Sequence, residues 1–269
     1  AEADMRPSED SPGRTVERTI AQLRRSVSQL REAHFVDTFL KDLKVSGFAN
    51  TKANLRRFIV LGLGSPSNSI VSRLQLSLAI ILVEHLGLTV SEMELYDPVF
   101  TPVDEKVIES LDKIFGAINA HTRQHNLSCQ GTSKVQCAKS MLLTREAADK
   151  YAGPDAKPTD TPTFWFMPHC EAVLYENVLK ANWAKANALR SHIFLGNNFQ
   201  TYAERWAQRK RSLGCPLHVL SAANILRVCV KIHVEGNATS QELAAFGDTS
   251  VQIIGGDADI KLPAVPLSR

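Results

Sequence analysis

Four short polar segments, each directly after an apolar run, carry the residues that could do chemistry. They are Gly64-Ser65-Pro66-Ser67, Asp97-Pro98, Pro168-His169-Cys170 and Gly196-Asn197-Asn198. Glycine turns can present backbone N–H groups to a phosphate, a carboxylate can hold ribose hydroxyls, and a histidine can serve as acid, base or metal ligand near neutral pH. The segments predict one binding or catalytic site if the fold brings them together.

The first segment belongs to "FIVLGLGSPSNS", residues 58–69, in which Gly62 to Ser67 reads G-x-G-x-x-S. The dinucleotide fingerprint has glycine or another small residue at its third position, so the motif fits a phosphate cradle as well as a plain strand-to-helix turn. The dinucleotide fingerprint has an acidic residue about 20 residues after its glycines, and Asp97 lies further from the glycines than that. A long intervening helix would still place Asp97 beside a ribose, and the alternative is a turn aspartate before Pro98.

His169 follows an apolar strand and precedes a helix, so it is the candidate general acid or base. A structural histidine bonded to backbone is the favoured interpretation, because only adjacent Cys170 has any ligand spacing to it. Ser65 lacks the G-x-S-x-G setting of a hydrolase nucleophile. Cys215-Pro216 with His218 offers soft ligands to haem iron, although a buried or turn cysteine is favoured.

Bulk composition excludes several classes of protein. The 269 residues are 44% apolar, and 31 basic against 28 acidic residues leave a formal charge of +3 without long runs of one sign. We therefore expect no direct nucleic-acid partner and no membrane partner. Five widely spaced cysteines without a CxxC pair argue against a disulfide framework and a zinc site. A reducing compartment, the cytoplasm and also the nucleus, is expected.

Apolar strand patterns alternate with helical patterns along most of the chain. The clearest helix start is predicted at Thr101 as N-cap, with Pro102 at the first helical position and the early acids Asp104 and Glu105. Strands are predicted in "RFIVLGLG", "MELYDP", "GAINAH", "PTFWFMPHC", "SHIFLGNNF" and "AAFGDTSVQIIGG", whereas the ambiguous stretch 217–236 is predicted as helix from its length. The alternation predicts an α/β fold with a Rossmann-like doubly wound, mainly parallel sheet and an N-terminal helical extension. In such a sheet the carboxyl ends of the strands share one edge.

The expected domain organisation has one main domain with added pieces. We predict a disordered tail over 1–14, the helical extension over 15–54, the Rossmann-like domain over 55–256 and a C-terminal tail over 257–269. Residues 122–160 lose apolar periodicity and are predicted to form a surface insertion, with a short helix near 144–151.

Five ordered blocks resemble the sensitivity-to-red-light-reduced (SRR-like) domain family. They are "GLGSPSNSIVSRLQLSLAIIL", "ELYDPVFTPVDEKVIESL", "PTFWFMPHCEAVLYENVLKANW", "FLGNNFQTYAER" and "FGDTSVQII", and they span roughly residues 55–255. The chain departs from the family pattern at Asn198, where the family usually has serine, and at Gly247, where it usually has asparagine. The 122–160 insertion is a further departure. With the family pattern, the candidate ligand-contacting residues are Gly62, Gly64, Ser65, Ser67, Asp97, Asn197, Asp248 and Thr249.

The resemblance implies a eukaryotic regulatory protein. Plant members are tied to circadian timing and light signalling, animal members to clock-gene expression and haem biosynthesis, and fungal members to microtubule-related phenotypes. The leading hypothesis is a regulator that binds a small phosphorylated or nucleotide-like ligand at the strand ends and acts through unidentified protein partners. The alternatives are a Rossmann-like transferase or oxidoreductase that uses the same pocket, and a ligand-free protein-interaction module.

Overall fold

The described part of the chain contains seven strands in one sheet, nine α-helices and one π-helical segment (Asp112–Gly116). The computed structural model describes residues 12–46, 48, 55–88, 93–116, 141–143, 145–159, 161–183, 189–207, 215–234 and 238–255. The strands are β1 (Arg57–Leu61), β2 (Met93–Tyr96), β3 (Met141–Leu142), β4 (Thr163–Met167), β5 (Ile193–Asn197), β6 (Leu226–Lys231) and β7 (Thr249–Ile254). The helices are α1 (Pro12–Glu32), α2 (His34–Val45), α3 (Ile70–Leu86), α4 (Pro102–Leu111), α5 (Arg145–Ala152), α6 (Ala172–Trp183), α7 (Phe199–Ala207), α8 (Leu217–Ala223) and α9 (Ser240–Phe246).

The sheet has the strand order β3-β2-β1-β4-β5-β7-β6. Neighbours from β3 to β5 pair in parallel, whereas β7 pairs antiparallel with both β5 and β6. Among the described strands, β7 alone therefore runs against the rest. The prediction of a mixed α/β chain with a mainly parallel sheet is confirmed.

Apolar side chains cover both faces of the sheet, because successive residues of a strand point to opposite sides. On the first face, Phe58 and Phe164 stack with ring centroids 4.7 Å apart, and helices α1 to α4 and α9 cover them. On the second face, Trp165 and Phe194 stack beneath helices α5 to α8. Strand β4 is consequently buried throughout, and β1 is buried from Phe58 to Leu61.

The starts of α3 and α4 follow local sequence signals. The Ser69 hydroxyl accepts from Ser72 N, and Gly87 ends α3 with a φ of +75°. Thr101 and Asp104 form a reciprocal capping box at the start of α4, with Pro102 in the first turn, as the sequence predicts.

Helices α1 and α2 are part of the main core. Leu23, Leu30, Phe39 and Leu43 are buried in the same apolar cluster as the first face of the sheet. Helix α1 begins at Pro12, inside the segment predicted as a tail, whereas 1–11 and 256–269 lie outside the described residues. Within the described ranges no helix has the length and apolarity needed to cross a membrane.

Two predictions about elements are corrected. Part of the predicted surface insertion belongs to the fold: β3 pairs with β2, and α5 buries Ala148 and Ala152. Arg57 Nη2 also donates to Tyr151 Oη of α5 over 2.6 Å. Elements this short give no lasting periodicity. Residues 117–140, which include the predicted strand "GAINAH" except its first residue, Gly116, lie outside the described residues.

The stretch 217–236 is not one helix. Helix α8 ends at Ala223 and strand β6 begins at Leu226. The prediction had therefore taken a short helix and a short strand for one long helix. A turn at Asn224 separates them, in which the Asn224 amide N–H donates to Ser221 O.

Candidate functional site

The carboxyl ends of β1 and β4 lie side by side at one edge of the sheet. Helix α3 leaves β1 toward the first face, whereas α6 leaves β4 toward the second face. In an open α/β sheet this divergence leaves a crevice outside the strand ends, where ligands bind. We call this place the switch point, and the β1–α3 loop (62–69) and the β4–α6 turn (168–171) are its two sides.

The two sides touch through Gly62 and Cys170. Gly62 has a φ of +68°, and a Cβ placed on it would lie 2.4 Å from Cys170 Sγ. The Cys170 thiol in turn donates to Leu61 O over 3.3 Å. Gly62 is therefore required both for its backbone conformation and for the close approach of the β4–α6 turn.

The N–H groups of the β1–α3 loop donate to two carboxylates. Gly64 N donates to Asp97 Oδ2 over 2.7 Å, and Ser67 N donates to Asp104 Oδ1 over 2.7 Å. The Ser65 hydroxyl donates to Asp104 Oδ2 over 2.7 Å and lies 3.1 Å from the Ser67 hydroxyl. Carboxylates of the chain itself thus occupy the positions at which a phosphate would accept from this loop.

Asp104 is the residue of this cluster that sequence reasoning missed. It stood out only as an early acid of a helix, and its contact with the loop joins residues far apart in sequence. The side chain is completely buried. Burial raises the pKa of its carboxyl group, but the hydrogen bonds from Ser65, Thr101 and Ser67 outweigh burial and hold the pKa below its ordinary value.

Asp97 directly follows β2 and binds the same loop. Its Oδ2 accepts from Gly64 N, and its Oδ1 accepts from Val99 N over 2.9 Å. A carboxylate oxygen has two lone pairs, so each of these oxygens keeps one for a ligand hydroxyl. The observed role of Asp97 is to hold the loop, and this role leaves room for a ligand contact.

His169 lies on the other side of the switch point in a strained conformation. Its φ is +56°, the one positive φ recorded for a non-glycine residue in the described ranges. His169 N donates to Asn197 Oδ1 over 3.1 Å, and Nε2 lies 3.1 Å from Ala245 O. Because a carbonyl can only accept, Nε2 donates to Ala245 O, and Nδ1 has no hydrogen-bond partner in the ranges that the structure describes.

A buried network of amide and hydroxyl groups holds the β4–α6 turn. Asn197 Nδ2 donates to Cys170 O and to Tyr202 Oη, over 3.1 and 2.8 Å. The Tyr175 hydroxyl donates to Met167 O and accepts from Asn197 N. Burial raises the pKa of Cys170, Tyr175 and Tyr202, so all three stay protonated at neutral pH and serve as hydrogen-bonding groups.

The last two candidate residues differ in setting. Asp248 pairs with Arg205 of α7 over 3.1 Å at the surface. Thr249 pairs with Asn197 across β7 and β5, and its buried hydroxyl has no hydrogen-bond partner in the described part of the chain. The neighbouring Ser250 hydroxyl is in the same state. The structure thus places Gly62, Gly64, Ser65, Ser67, Asp97, His169, Asn197 and Thr249 at one sheet edge and leaves Asp248 in a surface ion pair.

His218, considered above with Cys215 as a haem ligand, makes structural contacts in the described ranges. Its Nδ1 lies 2.6 Å from Glu176 Oε1, and the same carboxylate accepts from His218 N and Val219 N at the start of α8. The imidazole also packs edge-on against Trp183. No group of three or more candidate metal ligands occurs in the ranges that the structure describes.

Comparison with known proteins assigns the chain to a family. The model of the SRR1 domain matches residues 22–253. The chain is 25% identical over 244 residues to Protein SENSITIVITY TO RED LIGHT REDUCED 1 of Arabidopsis thaliana, a match that covers 88% of this chain and 75% of the plant protein. It is 26% identical over 151 residues to SRR1-like protein of Mus musculus, which covers 56% of this chain and 47% of the mouse protein. No solved structure matches significantly. The family match spans both sides of the switch point and most of the sheet, and the chain therefore belongs to the SRR1 domain family.

Proposed function

We propose that this chain is a regulatory protein that binds a small nucleotide-like ligand at the switch point and acts through protein partners. We also infer a Rossmann-like doubly wound fold, because the order β3-β2-β1-β4-β5 runs outward from β1 and β4 with helices on both faces. The observation that carries the ligand proposal is that α3 and α6 leave the adjacent ends of β1 and β4 toward opposite faces, which is where a crevice is expected. Asp97 and the free nitrogen of His169 lie on its two sides.

Apolar surface at the same edge supports a ligand with an apolar ring. The described residues expose five large hydrophobic side chains: Val45, Ile70, Val99, Val173 and Leu243. Of these, Ile70 begins α3, Val99 follows β2 and Val173 lies at the start of α6, so all three lie in or directly beside the loops that follow β1, β2 and β4. A nucleoside has hydroxyls that suit Asp97 and a base that suits such side chains.

The regulatory part of the proposal rests on the family. The name of the Arabidopsis relative refers to sensitivity to red light. We extend regulation of light or circadian signalling, or of haem biosynthesis, to this chain as a proposal, with action in the cytoplasm or nucleus. The ligand would then act as the signal that changes partner binding.

Thermal unfolding with a panel of nucleosides, nucleotides and dinucleotides tests the ligand proposal. A ligand at 100 times its Kd should stabilise the fold by about 2.7 kcal/mol. Asp97→Asn should abolish the response, whereas Asp149→Asn on exposed α5 should leave it unchanged. Amide NMR of the unaltered chain gives a readout free of folding defects, with shifts expected at Gly62, Gly64 and His169. A panel without any stabilising compound, or shifts elsewhere, would contradict the proposal.

One observation favours an enzyme as the second candidate. His169 combines a positive φ with an Nδ1 that has no partner in the described ranges, and strained residues with free nitrogen atoms suit acid–base chemistry. A transferase or oxidoreductase would lose about 100-fold or more of its turnover in His169→Asn while it kept ligand binding. If neither ligand nor turnover is found, the protein-interaction module remains.

A further inference from the structure

The N–H groups of Gly64 and Ser67 in the β1–α3 loop are not available to a phosphate. Gly64 N and Ser67 N already donate to Asp97 and Asp104, and the charge of both carboxylates would repel an anion at the same place. A phosphorylated ligand at the switch point therefore needs another source of positive charge.

Helix α1 brings an arginine toward this edge. It packs along α3, and Arg31 near its end forms an ion pair with Glu84 near the end of α3, with 2.7 Å between Nη2 and Oε2. Two helices that pack along their length and meet at their last turns must run parallel. Arg18 lies about 20 Å before Arg31 along the axis, and Arg73 lies about 17 Å before Glu84, so both arginines stand at the same level.

Arg73 is half-buried in the first turn of α3, directly behind the β1–α3 loop. Its Nη1 donates to Pro66 O over 2.7 Å, which turns the guanidinium toward the loop and leaves its other N–H groups available. Burial lowers the pKa of Arg73, and the charge of Arg18 lowers it further, which places the two side chains within electrostatic reach.

Neither arginine is neutralised by an acid in the described part of the chain: no carboxylate there forms an ion pair with Arg18 or Arg73. Two guanidinium groups that repel one another beside a loop cost free energy unless an anion lies between them. Guanidinium groups bind phosphate oxygens in pairs of parallel hydrogen bonds.

We propose that Arg18 and Arg73 together form the phosphate subsite of the ligand that binds at the switch point. The inference rests on the proposed function, since it assigns the charged end of the same ligand. In this arrangement Asp97 faces the sugar hydroxyls, whereas the phosphate lies on the α1 side of the loop. We therefore expect the ligand to be a nucleoside phosphate rather than a free nucleoside.

Isothermal titration provides the test. The probes are inorganic pyrophosphate, the diphosphates of adenosine, guanosine, uridine and cytidine, and the four free nucleosides. Arg73→Gln and Arg18→Gln should each weaken the binding of the best diphosphate by about 10-fold to 100-fold, the usual range for a hydrogen bond to a charged group. Arg24→Gln, an exposed arginine on the same helix, should not change it. Arg18 is also exposed and forms no hydrogen bond or ion pair in the described ranges, so its replacement should not disturb the fold.

The outcomes separate the two proposals. If a diphosphate binds the parent and both arginine variants equally, the phosphate subsite is overturned and the proposed function stands. If pyrophosphate binds as tightly as every diphosphate and depends on the arginines, the subsite stands and the nucleotide-like ligand is overturned. If no probe binds, both are overturned.

Discussion

The two sides of the switch point both contain residues with a positive φ, but they use different residue types for it. Both require a left-handed residue, and the β1–α3 loop supplies Gly62 and Gly64 whereas the β4–α6 turn uses His169. Carboxylates of Asp97 and Asp104 saturate the first side. The amide of Asn197 holds the second side and leaves a histidine nitrogen free. The difference indicates that carboxylates hold the backbone of the first side, whereas an amide holds the second side, where the imidazole Nδ1 has no partner in the described ranges.

Removal of the Asp104 carboxylate should have the largest effect, because this group holds the first side of the switch point. Asp104→Ala leaves the Ser65 and Thr101 hydroxyls and the Ser67 and Thr101 N–H groups without their acceptor. We expect a loss of about 3–5 kcal/mol in the free energy of unfolding, measured in urea. Glu109→Ala on the exposed face of α4 should change it by less than about 0.5 kcal/mol. Equal effects of the two would show that Asp104 does not hold the loop.

The same carboxylate predicts a pH dependence. Its pKa is lower in the folded chain than in the unfolded chain, since the hydrogen bonds from Ser65, Thr101 and Ser67 outweigh burial. Its stabilisation is therefore complete above the unfolded pKa of about 3.9 and is lost as the pH falls through the lower folded pKa. Asp104→Asn should remove this part of the acid sensitivity, as urea titrations between pH 6 and pH 3 would reveal. A parallel loss of stability in both proteins would refute the assignment.

Gly62→Ala tests the contact between the two sides. The substitution combines the strain of a positive φ, about 1–2 kcal/mol, with a clash against buried Cys170, about 1–3 kcal/mol. Gly87→Ala is the matched control, because it has a φ of +75° and open space around its Cβ. Thermal unfolding should place Gly62→Ala below Gly87→Ala by the cost of the clash. Similar melting temperatures would mean that the two sides are not in close contact.

Two substitutions at His169 test whether the backbone of the second side is strained. Both His169→Gly and His169→Ala remove the hydrogen bond to Ala245 O, but only glycine relieves the positive φ. His169→Gly should be more stable than His169→Ala by about 1 kcal/mol in chemical denaturation. If alanine is equally stable, the turn is not strained.

The smallest expected effect concerns Thr249, beside Asn197 on β7. Its buried hydroxyl has no partner in the described part of the chain, so Thr249→Val should leave stability unchanged or raise it by up to about 1 kcal/mol. Thr163→Val provides the contrast, because the Thr163 hydroxyl donates to Thr161 O over 2.7 Å and its loss should cost about 1 kcal/mol. A marked loss of melting temperature in Thr249→Val would indicate a hydrogen bond that the structure does not contain.

Local signals in the sequence predict most of the fold. The apolar runs give β1, β2, β4, β5 and β7, and the Thr101-Pro102 cap gives the start of α4. Strand β3 has two residues and therefore too few positions for any period to be recognised. The 217–236 stretch failed for a related reason, since a short helix and a short strand together have the length of one helix.

The candidate site was predictable in its location but not in its contacts. Polar residues at the ends of strands identify the edge, because parallel strands share it. The pairing of Asp104 with Ser65 and Ser67 depends on how α4 packs against the β1–α3 loop, which no local pattern contains. The strain at His169 is also invisible in sequence, since a histidine gives no signal for a positive φ.

The position of β7 has a consequence for synthesis on the ribosome. This last described strand lies between β5 and β6, so a nascent chain that already contains β6 still lacks the strand that joins it to the sheet. Until β7 emerges, β5 and β6 both present unpaired backbone groups, which are sites of intermolecular strand pairing. A premature stop just before Thr249 would therefore split the sheet internally, whereas loss of an edge strand such as β3 would only narrow it. Nonsense changes near the end of this chain should consequently produce aggregation-prone protein that depends on chaperones.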